Sequence, residues 1–208
     1  MEFPDFFAAA PEITLRDPLA AFLGASRGGM LRYSYADAVK LAGHSCPTVA
    51  GAYLMLRRGL AVLYGNEAPE RGGVEVHMRD PRDEGTTGVT ASIATLLTGA
   101  APETGFAGIG SGQVFSRRAL LHFNAPIDAL LGLRRRDNGR GVLLDLDMTV
   151  VPHAPEMQRL FPLVLTGRAD NEQQDRFGTL WQGRVAEMLT AHADDPALVR
   201  VSDWPALV

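Results

Sequence analysis

The feature that most constrains this chain is its single cysteine, Cys46, among 208 residues. One thiol cannot close an internal disulfide, so the fold must be held together by burial of apolar side chains. The hydrophobic content of 46% with 21% charged residues is typical of a globular protein, and the length suffices for one substantial core. We expect a single domain over residues 1–208, with a motif-bearing core at about 30–150 and a helical appendage at about 153–208.

The charge balance excludes some classes of partner. The formal net charge is −4, which gives no electrostatic reason to expect nucleic acid or an anionic membrane. No apolar run approaches the roughly 18 residues that span a bilayer. The first residues, MEFPDFFAAAPEIT, are acidic and lack a basic region, so we expect no signal peptide and a cytoplasmic location.

The hydrophobic pattern predicts an α+β fold. Apolar residues recur at helical spacing over 47–64, and a second apolar helix is predicted over 88–99, ending at Gly99. Strands and a terminal helix complete the prediction, the strands at 72–80, 114–123, 128–136 and 141–151 and the helix at 170–193. Helices and strands do not alternate strictly, so we expect a mixed or antiparallel sheet with helices packed on one face, plus a C-terminal helix.

The cysteine lies at a predicted helix start, in the stretch LAGHSCPTVAG. Pro47 suits the first helical position, because the N–H that proline lacks has no partner there. Cys46 then occupies the N-cap, where free backbone N–H groups and the positive end of the helix dipole stabilise a thiolate. His44 precedes it by two residues, and side chains at that spacing point the same way on extended backbone. An imidazole and a thiolate can therefore converge.

Three interpretations of this pair stay open on spacing alone. A thiolate with an imidazole is half of a site for zinc or another late first-row metal, which needs further ligands. Alternatively, His44 activates Cys46 as a nucleophile, as in cysteine hydrolases. In the third interpretation, Cys46 merely fills space in the interior and His44 is a turn residue.

Further ligand candidates lie in an acidic loop before the second apolar helix. Asp83 and Glu84, followed by Gly85, can turn back toward His44 and Cys46, although such carboxylates often only cap a helix on the surface. The other histidines are weaker candidates. The facing of His77 in its strand is ambiguous, His122 is expected to be packed or exposed rather than a ligand, and His153 and His192 are expected on the surface.

The stretch GHSCPTVAGAYLMLRRGLAVL resembles the N-terminal motif of FmdE, a component of formylmethanofuran dehydrogenase, and of its free-standing relatives. Gly43, His44, Cys46 and Pro47 match the turn of that motif. A second match, Leu97–Gly99, is similar to the end of the family's second helix. The resemblance covers about residues 35–123 and implies a mixed α+β domain, often dimeric, with a metal, commonly zinc, near the His-x-Cys turn.

The chain departs from the family pattern in ways that affect the predicted site. Relatives carry further cysteines around the second helix, whereas Ala100 and Ala101 follow Gly99 here. The remaining ligands must then be His, Asp, Glu or water. We predict His44, Cys46, Asp83 and Glu84 as ligands of a divalent transition metal, zinc before others, in a cytoplasmic homodimer.

An open metal position would accept a small-molecule ligand or a cofactor, haem included, since His and Cys both serve as axial ligands. The resemblance implies no reaction, because the redox chemistry of the complex belongs to its molybdenum or tungsten subunits. Whether the chain is an enzyme therefore stays open. The alternatives to a metal-binding protein are a metal-free thiol enzyme with Cys46 and His44, and a non-catalytic interaction subunit.

Overall fold

The structure is a computed structural model, which describes residues 3–205. The strands are β1 (Ile13–Arg16), β2 (Met30–Tyr33), β3 (Val74–Met78), β4 (Leu121–His122), β5 (Leu131–Arg135), β6 (Gly141–Leu146) and β7 (Val199–Trp204). The helices are α1 (Phe6–Ala9), α2 (Pro18–Phe22), α3 (Tyr35–Ala42), α4 (Pro47–Tyr64), α5 (Thr87–Thr98), α6 (Met157–Leu165) and α7 (Asn171–Leu189).

Five strands form a mixed sheet in the order β4-β3-β5-β6-β7, and β1 and β2 form a separate antiparallel pair. Within the larger sheet β3 and β4 are parallel and the other neighbours are antiparallel. Helix α4 packs across β5, β6 and β7, and α5 packs on β3, so the helices cover one face of the sheet. The predicted α+β class, with a mixed sheet and helices on one face, is confirmed.

Helix α4 is the centre of the core. It is buried on almost every side because the sheet covers one flank and α3, α5 and α7 cover the others. Its bounds match the prediction, with Pro47 in the first turn and Cys46 as the N-cap. The described helices include none that is both long and apolar enough to cross a membrane.

Close approach of α4 to the sheet depends on glycine. A Cβ atom at Gly59 would lie 2.6 Å from a methyl carbon of Leu144 and 2.8 Å from one of Leu133. Both leucines are buried on neighbouring strands, so neither can move aside easily. The missing side chain therefore sets how near the helix lies to β5 and β6.

We expect Gly59→Ala to lower the free energy of unfolding by about 1–3 kcal/mol, because overpacking outweighs the gain in helix propensity. Gly178→Ala is the matched control, since a Cβ there meets nothing within 4 Å. That change should stabilise α7 by about 0.5–1 kcal/mol. Urea unfolding of both variants measures the difference, and shifts of the same sign would contradict the packing account.

The predicted strand at 114–123 is wrong over most of its length, because only Leu121–His122 pair in the sheet. Gln113, Phe115 and Ala119 have φ angles of 48°, 65° and 54°. These left-handed conformations cannot continue an extended strand. The segment is instead a loop. The carbonyl of Arg117 within it accepts a hydrogen bond of 3.0 Å from the backbone N–H of Ala101.

Candidate metal centre

The turn that carries His44 and Cys46 is held by neighbouring helices. The carbonyl of Ser45 accepts hydrogen bonds from Trp181 Nε1 at 3.2 Å and Gln182 Nε2 at 3.1 Å. The Ser45 hydroxyl donates to Gln182 Oε1 at 2.9 Å and lies 3.0 Å from the hydroxyl of Tyr35. Contacts from α7 and α3 therefore fix the backbone at the point where α4 begins.

His44 is exposed, and its Nδ1 lies 2.9 Å from the carbonyl oxygen of Ala42. A carbonyl can only accept, so Nδ1 is the donor, and Nε2 is the ring nitrogen left to face a ligand. Histidines that bind metals commonly donate their other ring N–H in this way. The Cys46 sulfur accepts the backbone N–H of Val49 at 3.4 Å, as expected of an N-cap.

The other two predicted ligands lie in the turn before α5, where Asp83 and Glu84 are both exposed. Among residues 3–205, none of His44, Cys46, Asp83 and Glu84 belongs to a group of three ligand atoms within 4.8 Å of one another. The described residues thus give the turn two donors, which is too few for a closed tetrahedral zinc site. The four-residue ligand set stays a prediction.

A different cluster lies on the face of the sheet that the helices leave open. Val74, Val76 and Met78 point into the core, so the alternating residues Glu75 and His77 point outward. His122 pairs with His77 in the parallel register of β3 and β4, which places the two imidazoles side by side. The ligand atoms of Glu75, His77 and His122 all lie within 4.8 Å of one another.

The three side chains are in contact and reach solvent. His77 Nε2 lies 3.4 Å from a carboxylate oxygen of Glu75, and the two imidazole rings stack with centroids 4.6 Å apart. The side chains of His77 and Glu75 are 20% and 36% exposed. Arg134 lies opposite Glu75 on β5 but donates to the carbonyls of Gly139 and Pro205 instead. Within residues 3–205, the carboxylate therefore has only His77 as a charged or chargeable partner.

Trp204 lies on β7, at the opposite edge of the sheet from β4, and packs against His77 on one side of this cluster. A Cβ atom at Gly132 would lie 2.8 Å from the indole, and one at Gly141 would lie 3.1 Å from Trp204 Cβ. The two glycines let the indole lie across β6 and β5 and meet the edge of His77, with ring centroids 4.9 Å apart. Arg134 stacks on the indole at 3.9 Å.

The surroundings favour the neutral form of His77. Burial lowers the pKa of His77 below its ordinary value of 6.5, and the neighbouring His122 and Arg134 lower it further, whereas Glu75 acts in the opposite direction. A neutral imidazole is the form that binds a metal ion. The ring is therefore held in its ligand state at neutral pH.

Local sequence patterns do not reveal this cluster, for an identifiable reason. The Glu-x-His spacing in an alternating strand is visible, but the facing of that strand is ambiguous. His122 is not predicted as a ligand, because nothing in the sequence shows that its two-residue strand lies parallel to β3. The cluster could have been found only by knowing that the segments around His77 and His122 pair as parallel strands.

Comparison of the sequence with models of known protein families, and with curated proteins, finds no match. Among solved structures, the chain is similar to a tungsten formylmethanofuran dehydrogenase FmdE-like protein from Syntrophus aciditrophicus. The two share 15% sequence identity with a TM-score of 0.44, over 85% of this chain and 74% of that chain. A likeness at this level assigns no function, which has to come from the chemistry of the chain's own residues.

Proposed function

We propose that this chain binds a divalent transition-metal ion, zinc before others, through Glu75, His77 and His122. The observation that carries the proposal is the convergence of their three ligand atoms within 4.8 Å. Two imidazoles with one carboxylate form a donor set used by catalytic zinc sites and by non-haem iron sites. Surface carboxylates cluster often without a metal, but two stacked histidines beside a carboxylate form a far more selective set.

Three protein ligands leave at least one coordination position for water or a small molecule. A bound zinc ion would supply Lewis acidity at that position. The chain's own residues supply the surroundings: Trp204 shields His77 on one side, and Arg134 places a positive charge nearby that suits an anionic ligand. Since the cluster reaches solvent, such a ligand can enter without any rearrangement of the core.

The turn at His44 and Cys46 is the second proposed location, with Asp83 and Glu84 as the predicted remaining ligands. It is supported by the free Nε2 of His44 and by the rigid backbone at Ser45. The sheet-face cluster is favoured because it brings three donors together, whereas the turn offers two. The homodimer and the cytoplasmic location stay predictions of the resemblance and of the sequence, and sedimentation and cell fractionation would test them.

Metal content measured on protein purified without affinity metals or chelators tests the function and its location together. We expect close to one zinc per chain in the wild type, retained in His44→Ala and Cys46→Ala and lost in His77→Ala and His122→Ala. Retention by the first pair and loss by the second would place the metal on the sheet face.

The opposite pattern of loss would move the metal to the turn at Cys46. Absence of metal from the wild type, even after reconstitution with zinc, would contradict metal binding altogether. In that case the rate of alkylation of Cys46 as a function of pH would test the thiol-enzyme alternative.

A further inference from the structure

A cavity of about 190 Å³ lies where the N-terminal ends of α4 and α5 meet, apart from the proposed metal cluster. Thr48 of α4 and Thr87 and Thr90 of α5 contribute its polar wall. Methionine and leucine side chains also line it, among them Met55, Leu146 and Met148. The cavity lining thus combines hydroxyl groups with apolar side chains.

The hydroxyls of the two buried threonines, Thr87 and Thr90, lack a protein partner within residues 3–205. Thr87 and Thr90 are only 7% and 8% exposed. Elsewhere on α5, the Ser92 and Thr98 hydroxyls donate to carbonyls one turn back, whereas those of Thr87 and Thr90 make no hydrogen bond within residues 3–205. Among the same residues only Ser26 has an unpartnered side-chain oxygen with no accessible surface, so the threonine hydroxyls open onto the cavity that they line. Because these hydroxyls have no protein partner and line the cavity, they are available to hydrogen-bond a ligand in it.

The charge around the cavity favours an anion. Helices α4 and α5, of 18 and 12 residues, place the positive ends of their dipoles at this region, because residues of their first turns line the cavity. The one carboxylate in the lining, Asp80, is held by two hydrogen bonds from Arg79 at 2.8 and 3.1 Å. That ion pair holds the pKa of Asp80 below its usual range and offsets its charge. A cationic ligand would find two repulsive helix ends there.

We infer that this cavity binds a short-chain aliphatic carboxylate. The carboxylate accepts hydrogen bonds from the Thr87 and Thr90 hydroxyls at the N-terminal end of α5, and the alkyl tail lies against Leu146 and the methionines. The volume equals that of roughly six water molecules in the liquid, which limits the ligand to roughly three to six carbon atoms. This site is independent of the metal cluster, and the metal-free protein is expected to bind the ligand.

Amide NMR shifts of the full-length, metal-free protein, titrated with butyrate, test the inference. We expect saturable shifts at the first turns of α4 and α5, with affinity rising about fourfold per methylene from acetate to butyrate and falling once the tail exceeds the cavity. Thr87→Val and Thr90→Val keep the shape of the side chain and should each weaken butyrate binding about tenfold or more. Thr90→Ser retains the hydroxyl and should bind nearly as the wild type does.

Thr95→Val is the matched control, because Thr95 lies on the same helix but outside the cavity lining. Its butyrate affinity should equal that of the wild type. Butyramide, the neutral analogue, should bind much more weakly than butyrate. The inference is overturned if butyrate causes no saturable shift at these helix ends, if butyramide binds equally well, or if the valine variants bind like Thr95→Val. Since no metal is present, none of these results depends on the proposed metal site.

Discussion

Asp17→Ala should lower the free energy of unfolding by about 3–5 kcal/mol, because it leaves two largely buried guanidinium groups without their counter-ion. Asp17 is 4% exposed. Its two carboxylate oxygens accept hydrogen bonds from Arg71 at 2.6 Å and from Arg117 at 2.7 Å. The same carboxylate also caps α2 by accepting the N–H groups of Leu19 and Ala20.

The ion-pair network links parts of the chain that are far apart in sequence. Arg71 also donates to the carbonyls of Leu96 at 3.0 Å and Leu97 at 3.1 Å, near the end of α5. Arg117 belongs to the loop that leads into β4, and burial lowers its pKa while Asp17 acts to raise it. Loss of the carboxylate therefore loosens the start of α2, the end of α5 and this loop together.

Urea unfolding of Asp17→Ala, compared with that of Asp170→Ala, distinguishes the cost of losing the ion-pair network from the cost of losing a helix cap. Asp170 caps α7 but is exposed, so its loss should cost only about 1 kcal/mol. Asp17→Asn retains a capping oxygen without the charge and should lie between the two. If Asp17→Ala costs no more than Asp170→Ala, the buried guanidinium groups do not depend on the carboxylate.

The parts of the fold that could be predicted from the sequence are those specified locally. Pro47 after Cys46 sets the start of α4 through backbone chemistry that involves only neighbouring residues. Gly99 ends α5 in the left-handed conformation, with φ of 71°, which glycine adopts without steric cost. Asp17 is equally recognisable as a helix cap.

The parts that could not be predicted depend on pairing between distant segments. The arginines that neutralise Asp17 lie 54 and 100 residues away, and no local pattern marks them as its partners. The metal cluster likewise needs the parallel register of β3 and β4, and Trp204 reaches His77 only across two intervening strands. Sequence periodicity shows which residues alternate, but not which strands are neighbours. The sequence therefore directs the predicted site to the locally visible turn, while the clearest three-donor cluster lies elsewhere.

His122→Ala should weaken zinc binding by roughly a hundredfold, since structural zinc sites gain on the order of 3 kcal/mol for each of their ligands. His77 and Glu75 would remain as two donors, too few to hold the ion tightly. Zinc at a hundred times its dissociation constant stabilises a folded protein by about 2.7 kcal/mol. We therefore expect zinc to raise the melting temperature of the wild type clearly and that of His122→Ala hardly at all.

His192→Ala supplies the control for loss of a histidine as such. His192 lies 2.8 Å from Asp195 in an acidic surface setting, away from the cluster, so its variant should keep the full zinc-dependent shift. The zinc effect should also fade as the pH falls, because protons compete for the imidazole nitrogens, although the lowered pKa of His77 keeps that ring available below 6.5. If zinc still raises the melting temperature of His122→Ala but not that of Cys46→Ala, the ion binds at the N-terminal end of α4. Equal shifts in all the variants would mean that zinc binds the surface without a defined site.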